Sequence, residues 1–238
     1  MSPNPEPFLH HLREAGYHPR SDRHSNALAE AIVKDLFAHC PRIQERARSG
    51  DLVYDLNFTL RAGTADWNVD LVLGEPQLGV ESASVEDTLA KQSPSMVQIA
   101  IELKSVMTEH RKAVKNRKRD LEAHHEHVHN YNDASIAGGV LIINGASSFK
   151  SPLRSEETVH RHPQKLVEHC VSELRSVAAR GGATGYGLEA RCAIVVDFDN
   201  VSPQNGSFVT EPPAPGVGDP LHYDTFIRTL CNHYTRRF

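Results

Sequence analysis

The chain has 238 residues, of which 39% are apolar and 24% charged, a balance typical of a globular protein with a sizeable core. Its formal net charge is -4, so any nucleic-acid-binding surface must be a local concentration of positive charge. The N-terminal residues lack the apolar stretch of a signal peptide, and no apolar run is long enough to cross a bilayer. The composition therefore predicts a cytoplasmic, single-domain protein over 1–238 that does not bind membranes.

The cysteines are far apart in the sequence, at Cys40, Cys170, Cys192 and Cys231. No CxxC pair occurs, which argues against a zinc ribbon or a thioredoxin-type motif. We expect separate buried thiols, as in a protein of a reducing compartment.

The N-terminal part of the chain predicts one helix. Residues 1–20 contain prolines and histidines and are expected to cross the surface. Residues 22–39 carry apolar side chains at helical spacing, with Asp22 or Ser25 as the candidate cap and Pro41 as a stop. A polar connection is expected over 42–50.

A β-hairpin is predicted next. DLVYDLNFTLRAG alternates between apolar and polar residues, and WNVDLVLG follows after a short turn. The alternation places the following residues on one face: Leu52, Tyr54, Leu56, Phe58 and Leu60.

The remaining elements complete a sheet. Residues 75–95 lack periodicity and predict a long loop, and MVQIAIELK predicts a buried central strand. A helix over 109–136, the strand GGVLIIN, a helix over 155–180 and the strand RCAIVVDF follow. The core is expected over about 22–200, with a Pro-rich loop and a closing helix in 202–238. This order predicts an α/β fold with a mixed central β-sheet flanked by helices on both faces.

Three polar side chains on the predicted strands suggest a catalytic site. Glu102 and Lys104 are two residues apart in IAIELK, so they share a face while Leu103 points into the core. Asp70 joins them if its hairpin strand lies beside this one. Two carboxylates suit a hard cation such as Mg²⁺, and a lysine can orient water and stabilise charge developing on a phosphate.

Asp70 followed by Glu102-Leu103-Lys104 resembles the motif of the PD-(D/E)XK nuclease superfamily, and the resemblance covers roughly residues 22–145. It implies a restriction-endonuclease-like fold and a Mg²⁺-dependent DNA endonuclease, for which Mn²⁺ can substitute, of the type II restriction or a related defence class. Asp70 and Glu102 then bind the metal, and Lys104 serves the attacking water. Symmetric cutting of double-stranded DNA needs two active sites, which is compatible with a homodimer.

The resemblance implies one further ligand and shows two departures. Many members carry a glutamate on the first core helix that reaches the metal, and Glu30 is the matching residue. Val69 stands where the family has proline. The long gap before Glu102 requires residues 75–95 to loop out as an insertion.

A basic stretch after the catalytic strand predicts contact with the DNA backbone. Its cations are Arg111, Lys112, Lys115, Arg117, Lys118 and Arg119. On the same predicted helix, His127 and Tyr131 are four residues apart and are candidate accessory residues facing the active site or DNA.

Two alternatives remain open at this point. HEHVH matches HExxH, so His125 and His129 could bind zinc with Glu126 as the base, and His160 or His162 as a third ligand. This pattern predicts a zinc hydrolase or protease. The other alternative is a non-catalytic DNA-binding member of the nuclease fold.

Overall fold

The computed structural model describes residues 3–62, 65–77, 79, 88–182 and 184–238. Within them the helices are α1 (Glu6–Ala15), α2 (Arg23–His39), α3 (Pro41–Arg48), α4 (His110–Tyr131), α5 (Pro163–Arg175) and α6 (Tyr223–Arg237). The strands are β1 (Val53–Ala62), β2 (Ala65–Glu75), β3 (Ala90–Lys91), β4 (Met96–Val106), β5 (Ile136–Asn144), β6 (Ser148–Phe149), β7 (Thr158–Val159), β8 (Ala190–Asp197) and β9 (Ser207–Phe208).

Seven of these strands form one mixed sheet in the order β3-β1-β2-β4-β5-β8-β9, and β6 pairs with β7 in a separate ribbon. The β1–β2, β2–β4 and β8–β9 pairs are antiparallel, whereas β4, β5 and β8 run parallel. Helices α1, α2, α3 and α6 contribute to the apolar core on one face, and α4 and α5 to that on the other. The predicted α/β fold with a mixed central sheet flanked by helices is confirmed.

The sequence pattern explains the central layer. All nine residues of β5 are buried, as expected for a strand covered on both faces. On α2, the side chains of Leu28, Ile32 and Leu36 lie at helical spacing and are fully buried against the sheet. Burial of one such side chain contributes about 1.5–3 kcal/mol, which is how this helix is held to the fold.

Two short helices replace segments that were expected to be irregular. The expected surface crossing over 1–20 contains α1, which buries Phe8, Leu9 and Leu12. The expected polar connection over 42–50 is largely α3. Pro41 ends α2 but also occupies the first turn of α3, where proline costs no hydrogen bond.

The alternation predicted for β1 breaks at Asn57. Tyr54 and Leu56 pack with the core beneath α2, whereas Phe58 and Leu60 join the core on the α4 side. Asn57 has a left-handed φ of 53°, a conformation that asparagine tolerates better than most residues. The predicted single apolar face of this strand is therefore wrong.

The cysteine prediction is half correct. Cys170 and Cys192 are buried free thiols, but Cys40 and Cys231 form a disulfide between the α2–α3 junction and α6. Such a bond closes a loop of most of the chain and restricts the unfolded state.

We expect reduction of this disulfide to lower the free energy of unfolding by about 2–4 kcal/mol. Urea unfolding with and without reductant measures the change. The Cys231→Ser variant provides the control, because its stability must not respond to reductant. An equal response of the variant and the wild-type protein would contradict the assignment.

The predicted loop over 75–95 lies partly outside the described residues, which omit 78 and 80–87. Its described end contains β3, which pairs in parallel with the start of β1. None of the helices described is both long and apolar enough to pass through a bilayer.

Candidate active site

The site begins where β2 separates from β4. Their ladder ends at the pair Leu71 and Ile101. Two residues further along β4, the Leu103 backbone N–H donates to the Asp70 side chain at 2.7 Å. The Asp70 carboxylate is thus fixed at the point where the two strands diverge.

Glu102 and Lys104 lie beside Asp70, as strand alternation predicted. The Lys104 ammonium contacts the Glu102 carboxylate directly and lies 3.8 Å from Asp70 Oδ2. Leu103 is buried on the opposite face of the sheet. The structure therefore brings the three predicted catalytic residues into one cluster.

His124 is a further member of this cluster that sequence reasoning did not assign to it. Its Nε2 lies 3.2 Å from the Ala100 carbonyl, which can only accept, so Nε2 carries the proton. Its Nδ1 faces Glu102 Oε2 at 3.7 Å. Among the described residues, neither His124 Nδ1 nor Glu102 Oε2 has a hydrogen-bond partner. His124 thus forms the α4 wall behind the Glu102 carboxylate.

Gly139 on β5 pairs with Glu102, and a Cβ there would lie 2.8 Å from the Leu188 side chain and 3.0 Å from that of Leu121 on α4. The glycine therefore leaves room for both leucine side chains beside β5.

The cluster opens into a cleft of about 320 Å³. Trp67 and Asn68 of β2 and Arg117 and Asp120 of α4 complete its walls. Arg117 Nη1 donates to Asp120 Oδ2 at 2.9 Å, so a cation and a carboxylate both line the opening. A cleft with this lining can admit a charged, extended substrate to the buried carboxylates.

Burial controls the charges of the site. Burial raises the pKa of Glu102 to about 8, the Asp70 charge adds to this rise, and Lys104 opposes it. Burial also raises the pKa of Asp70. Although burial disfavours the Lys104 ammonium, the two carboxylates raise its pKa above the ordinary value. Burial lowers the pKa of His124 to about 3, so this imidazole is neutral.

The Glu102 shift predicts a stability that falls with pH. Between its ordinary pKa of 4.5 and the folded value of about 8, the folded protein holds a proton that the unfolded chain has lost. This group then lowers the free energy of unfolding by about 1.4 kcal/mol per pH unit through that window. Its contribution is complete below the unfolded pKa and is lost as the pH rises through the folded pKa.

Urea unfolding at pH 6 and pH 8 without divalent metal tests this prediction. From pH 6 to pH 8, the free energy of unfolding of the wild-type protein should fall by roughly 2–3 kcal/mol more than that of Glu102→Gln, which has no titrating group at this position. Parallel stability profiles for the two proteins would show that Glu102 does not hold the proton.

The donor set of the cleft fits a hard divalent cation. In the described part of the chain, Glu102 Oε2 is a buried oxygen without a partner, and Asp70 Oδ2 lies 3.8 Å from the Lys104 ammonium that contacts Glu102. Carboxylate oxygens are the ligands that Mg²⁺ takes in proteins, and it usually keeps several waters. Among the residues that the structure describes, no group of three or more His, Cys, Asp and Glu side chains is positioned to hold a metal. The third carboxylate of the cleft, Asp120, accepts from Arg117, so Asp70 and Glu102 with waters are the ligands that this cleft offers.

Comparison of the chain with models of known families, with curated proteins and with solved structures finds no match. The chemistry of the cleft must therefore be inferred from its own geometry.

The structure does not bring Glu30 to the cleft. Glu30 is exposed on α2, and its charge, together with burial, raises the pKa of Tyr54. The start of α2 instead brings Asp22 towards Asp70, whose pKa its charge helps to raise. Asp22 makes no capping hydrogen bond through its side chain, which accepts from Asn57 at 3.2 Å. Sequence reasoning missed Asp22 because it was treated as a helix cap.

The two accessory candidates, His127 and Tyr131, lie in different places. His127 stacks on Trp67 with ring centroids 4.6 Å apart, so it lies at the rim of the cleft. The Tyr131 hydroxyl accepts from the Val97 backbone at 3.3 Å and lines a different groove beside β1. Of this pair, only His127 is placed to act near the carboxylates.

The cations of the basic stretch on α4 differ in their exposure and contacts. Four of its cations are exposed: Arg111, Lys112, Lys115 and Arg119. Arg117 lines the cleft, as described above. Lys118 turns to α5, where it donates to Ser176 and lies 3.7 Å from a Glu173 oxygen. Of the six predicted DNA contacts, the structure therefore brings Arg117 to the cleft, and Arg111 and Lys112 lie at the start of α4, away from it.

Of the two histidines that the HExxH pattern would use, His129 makes structural contacts, whereas His125 is buried and its Nδ1 has no hydrogen-bond partner among the described residues. His129 Nε2 donates to the Gly187 carbonyl at 2.9 Å, and its Nδ1 accepts from Arg180 at 3.0 Å. Both ring nitrogens are thus occupied, which leaves no lone pair for zinc. Glu126 is exposed. Among the residues that the structure describes, the HEHVH segment therefore offers no set of zinc ligands, and we do not propose a zinc hydrolase.

Proposed function

We propose that the protein is a Mg²⁺-dependent endonuclease of the PD-(D/E)XK type that hydrolyses phosphodiester bonds of DNA. The observation that carries this proposal is the convergence of Asp70, Glu102 and Lys104 at the diverging ends of two neighbouring strands. Their open cleft has a basic helix along one wall.

The roles of the residues follow from their contacts. Asp70 and Glu102 would hold the metal, which supplies Lewis-acid stabilisation of charge on the phosphate when bound. Lys104 lies within reach of both carboxylates and is placed to orient the attacking water and to stabilise the developing negative charge. The Leu103 N–H fixes Asp70, and His124 limits the positions open to Glu102.

The surroundings favour a nucleic acid as the substrate. The four exposed cations of α4 form a local positive surface on a protein whose formal net charge is -4. Such a cluster attracts the phosphate backbone independently of base sequence. Arg117 adds a cation to the lining of the cleft, and the stacked Trp67 and His127 rings give the rim a flat face suited to bases or sugars.

Incubation of the purified protein with supercoiled plasmid, linear duplex and phage DNA tests the proposal. We expect nicked or linear products with Mg²⁺ or Mn²⁺ and none with EDTA, and a duplex RNA of matched length provides the competing substrate. Mapping of the ends shows whether both strands are cut symmetrically, as two cooperating copies would do. Duplex binding without cleavage in either metal would identify a non-catalytic member of the fold and overturn the proposal.

A further inference from the structure

A second cleft lies at the start of α4, away from the carboxylates. It is open to solvent and has a volume of about 420 Å³ between the first turn of α4 and the segment that carries β7. His110 and His160 form part of its lining and are only 2% and 6% exposed. The proposed nuclease chemistry gives neither residue a role.

Both imidazoles have a fixed tautomer. His110 Nε2 lies 2.7 Å from the Asn144 carbonyl, and His160 Nδ1 lies 2.7 Å from the Ala146 carbonyl. A carbonyl oxygen only accepts, so each of these nitrogens carries the proton. His110 Nδ1 and His160 Nε2 therefore keep their lone pairs.

The two remaining nitrogens lack partners. Both are buried and make no hydrogen bond to any residue that the structure describes. An unpaired buried acceptor is costly, and two in one cleft call for a ligand. A histidine whose other ring nitrogen donates to a backbone carbonyl is the usual arrangement of a metal ligand, because the second contact fixes the ring.

The spacing of the rings also suits a shared ion. Their centroids are 4.7 Å apart, with an angle of 88° between the planes. Two imidazoles that bind one ion at 2.0–2.1 Å hold their centroids roughly 4.5–5.2 Å apart. The observed separation falls within that range.

We propose that His110 and His160 form a two-histidine site for a transition-metal ion such as Zn²⁺, Ni²⁺ or Cu²⁺, with water in the remaining positions. Imidazole nitrogen favours these ions, whereas Mg²⁺ takes oxygen ligands. Arg111, Lys112 and Arg161 also border the cleft, but all three are exposed and screened by solvent. Glu109 is held by Arg154 at 2.8 Å and is not counted as a ligand.

This site is independent of the proposed nuclease centre. His110 and His124 are separated by 14 residues of one helix, which corresponds to about 21 Å along its axis. Binding at one site can therefore be measured while the other is saturated with Mg²⁺ or altered.

Copper is the most sensitive probe, because Cu²⁺ binds nitrogen sites more tightly than the other divalent first-row ions. We expect sub-stoichiometric Cu²⁺, added in excess Mg²⁺, to give an electron paramagnetic resonance spectrum with coupling to two imidazole nitrogens. Calorimetry with Ni²⁺ should show one equivalent bound. His110→Ala and His160→Ala should each weaken that binding at least tenfold, and His162→Ala, an exposed histidine on the same segment, should leave it unchanged.

Absence of a bound equivalent in the wild-type protein, or equal binding by the wild-type protein and both alanine variants, would overturn the proposal. The resonance spectrum of the unaltered protein needs no substitution, so the test holds even if one variant does not fold. Far-UV circular dichroism identifies such a variant.

Discussion

We expect Lys104→Met to abolish the proposed DNA cleavage while the protein still folds and still binds duplex DNA. Methionine keeps most of the side-chain volume but removes the ammonium that contacts Glu102 and lies 3.8 Å from Asp70 Oδ2. Loss of a group that serves the water and the developing charge costs on the order of 10²–10⁴-fold in rate. Single-turnover cleavage rates and duplex dissociation constants, measured on the same preparations, separate this loss from weaker binding.

Lys34→Met is the matched control for that substitution. Lys34 is exposed on α2, on the other face of the sheet from the cleft, so its replacement should leave the cleavage rate unchanged. Cleavage by Lys104→Met at the wild-type rate would remove the lysine from the mechanism.

Glu189→Ala should cost about 3–5 kcal/mol of stability, the largest loss that we expect from a single substitution outside the apolar core. The Glu189 side chain is fully buried, and its Oε1 lies 3.0 Å from Arg180 and 2.8 Å from Arg237. Its Oε2 accepts from the Ala137 backbone N–H at 2.8 Å. The variant removes the carboxylate shared by Arg180 and Arg237, and Arg180 keeps only its other partners, among them Asp133. Breaking a buried ion pair in this way accounts for the size of the loss.

Urea unfolding measures this loss, and Arg228→Ala provides the comparison. Arg228 pairs with Asp224 four residues away on the surface of α6, and its side chain is 67% exposed. Such a pair contributes a few tenths of a kcal/mol. If Glu189→Ala cost no more than Arg228→Ala, the cluster would not be holding α6 to the sheet.

This buried cluster also explains why HEHVH misleads at the level of sequence. The pattern places His125 and His129 on one face of α4, as a zinc site requires, and the structure does bury both. The partner of His129 is Arg180, 51 residues away, and no local sequence pattern predicts this contact. The spacing of a helix reveals which side chains share a face, but not what that face meets.

Part of the candidate cluster was predictable, because strand alternation acts over two residues. Glu102 and Lys104 had to share a face, whereas the pairing of β2 with β4, on which the position of Asp70 depends, was only a condition at the level of sequence. The contact from Leu103 N–H to Asp70 was not predictable, since it depends on where the ladder ends.

Other features depended on contacts between distant parts of the chain. Asn57 and Asp70 oppose each other where both strands of the hairpin change face, so a simple alternation over β1 failed there. The disulfide joins residues 191 positions apart, and no spacing rule reveals it. The short helix α1 did carry a signal, because Phe8, Leu9 and Leu12 share one helical face, but its prolines and histidines suggested a surface segment.

The most direct test of the proposed active site compares the nicking of supercoiled plasmid by Glu102→Gln and by the wild-type protein in Mg²⁺. Glutamine preserves the shape of the side chain but removes the carboxylate charge that a cation requires. The proposed mechanism predicts Mg²⁺-dependent nicking by the wild-type protein and a loss of at least 10²-fold in the variant, with unchanged DNA binding. Equal Mg²⁺-dependent nicking by both proteins would contradict the assignment of the active site.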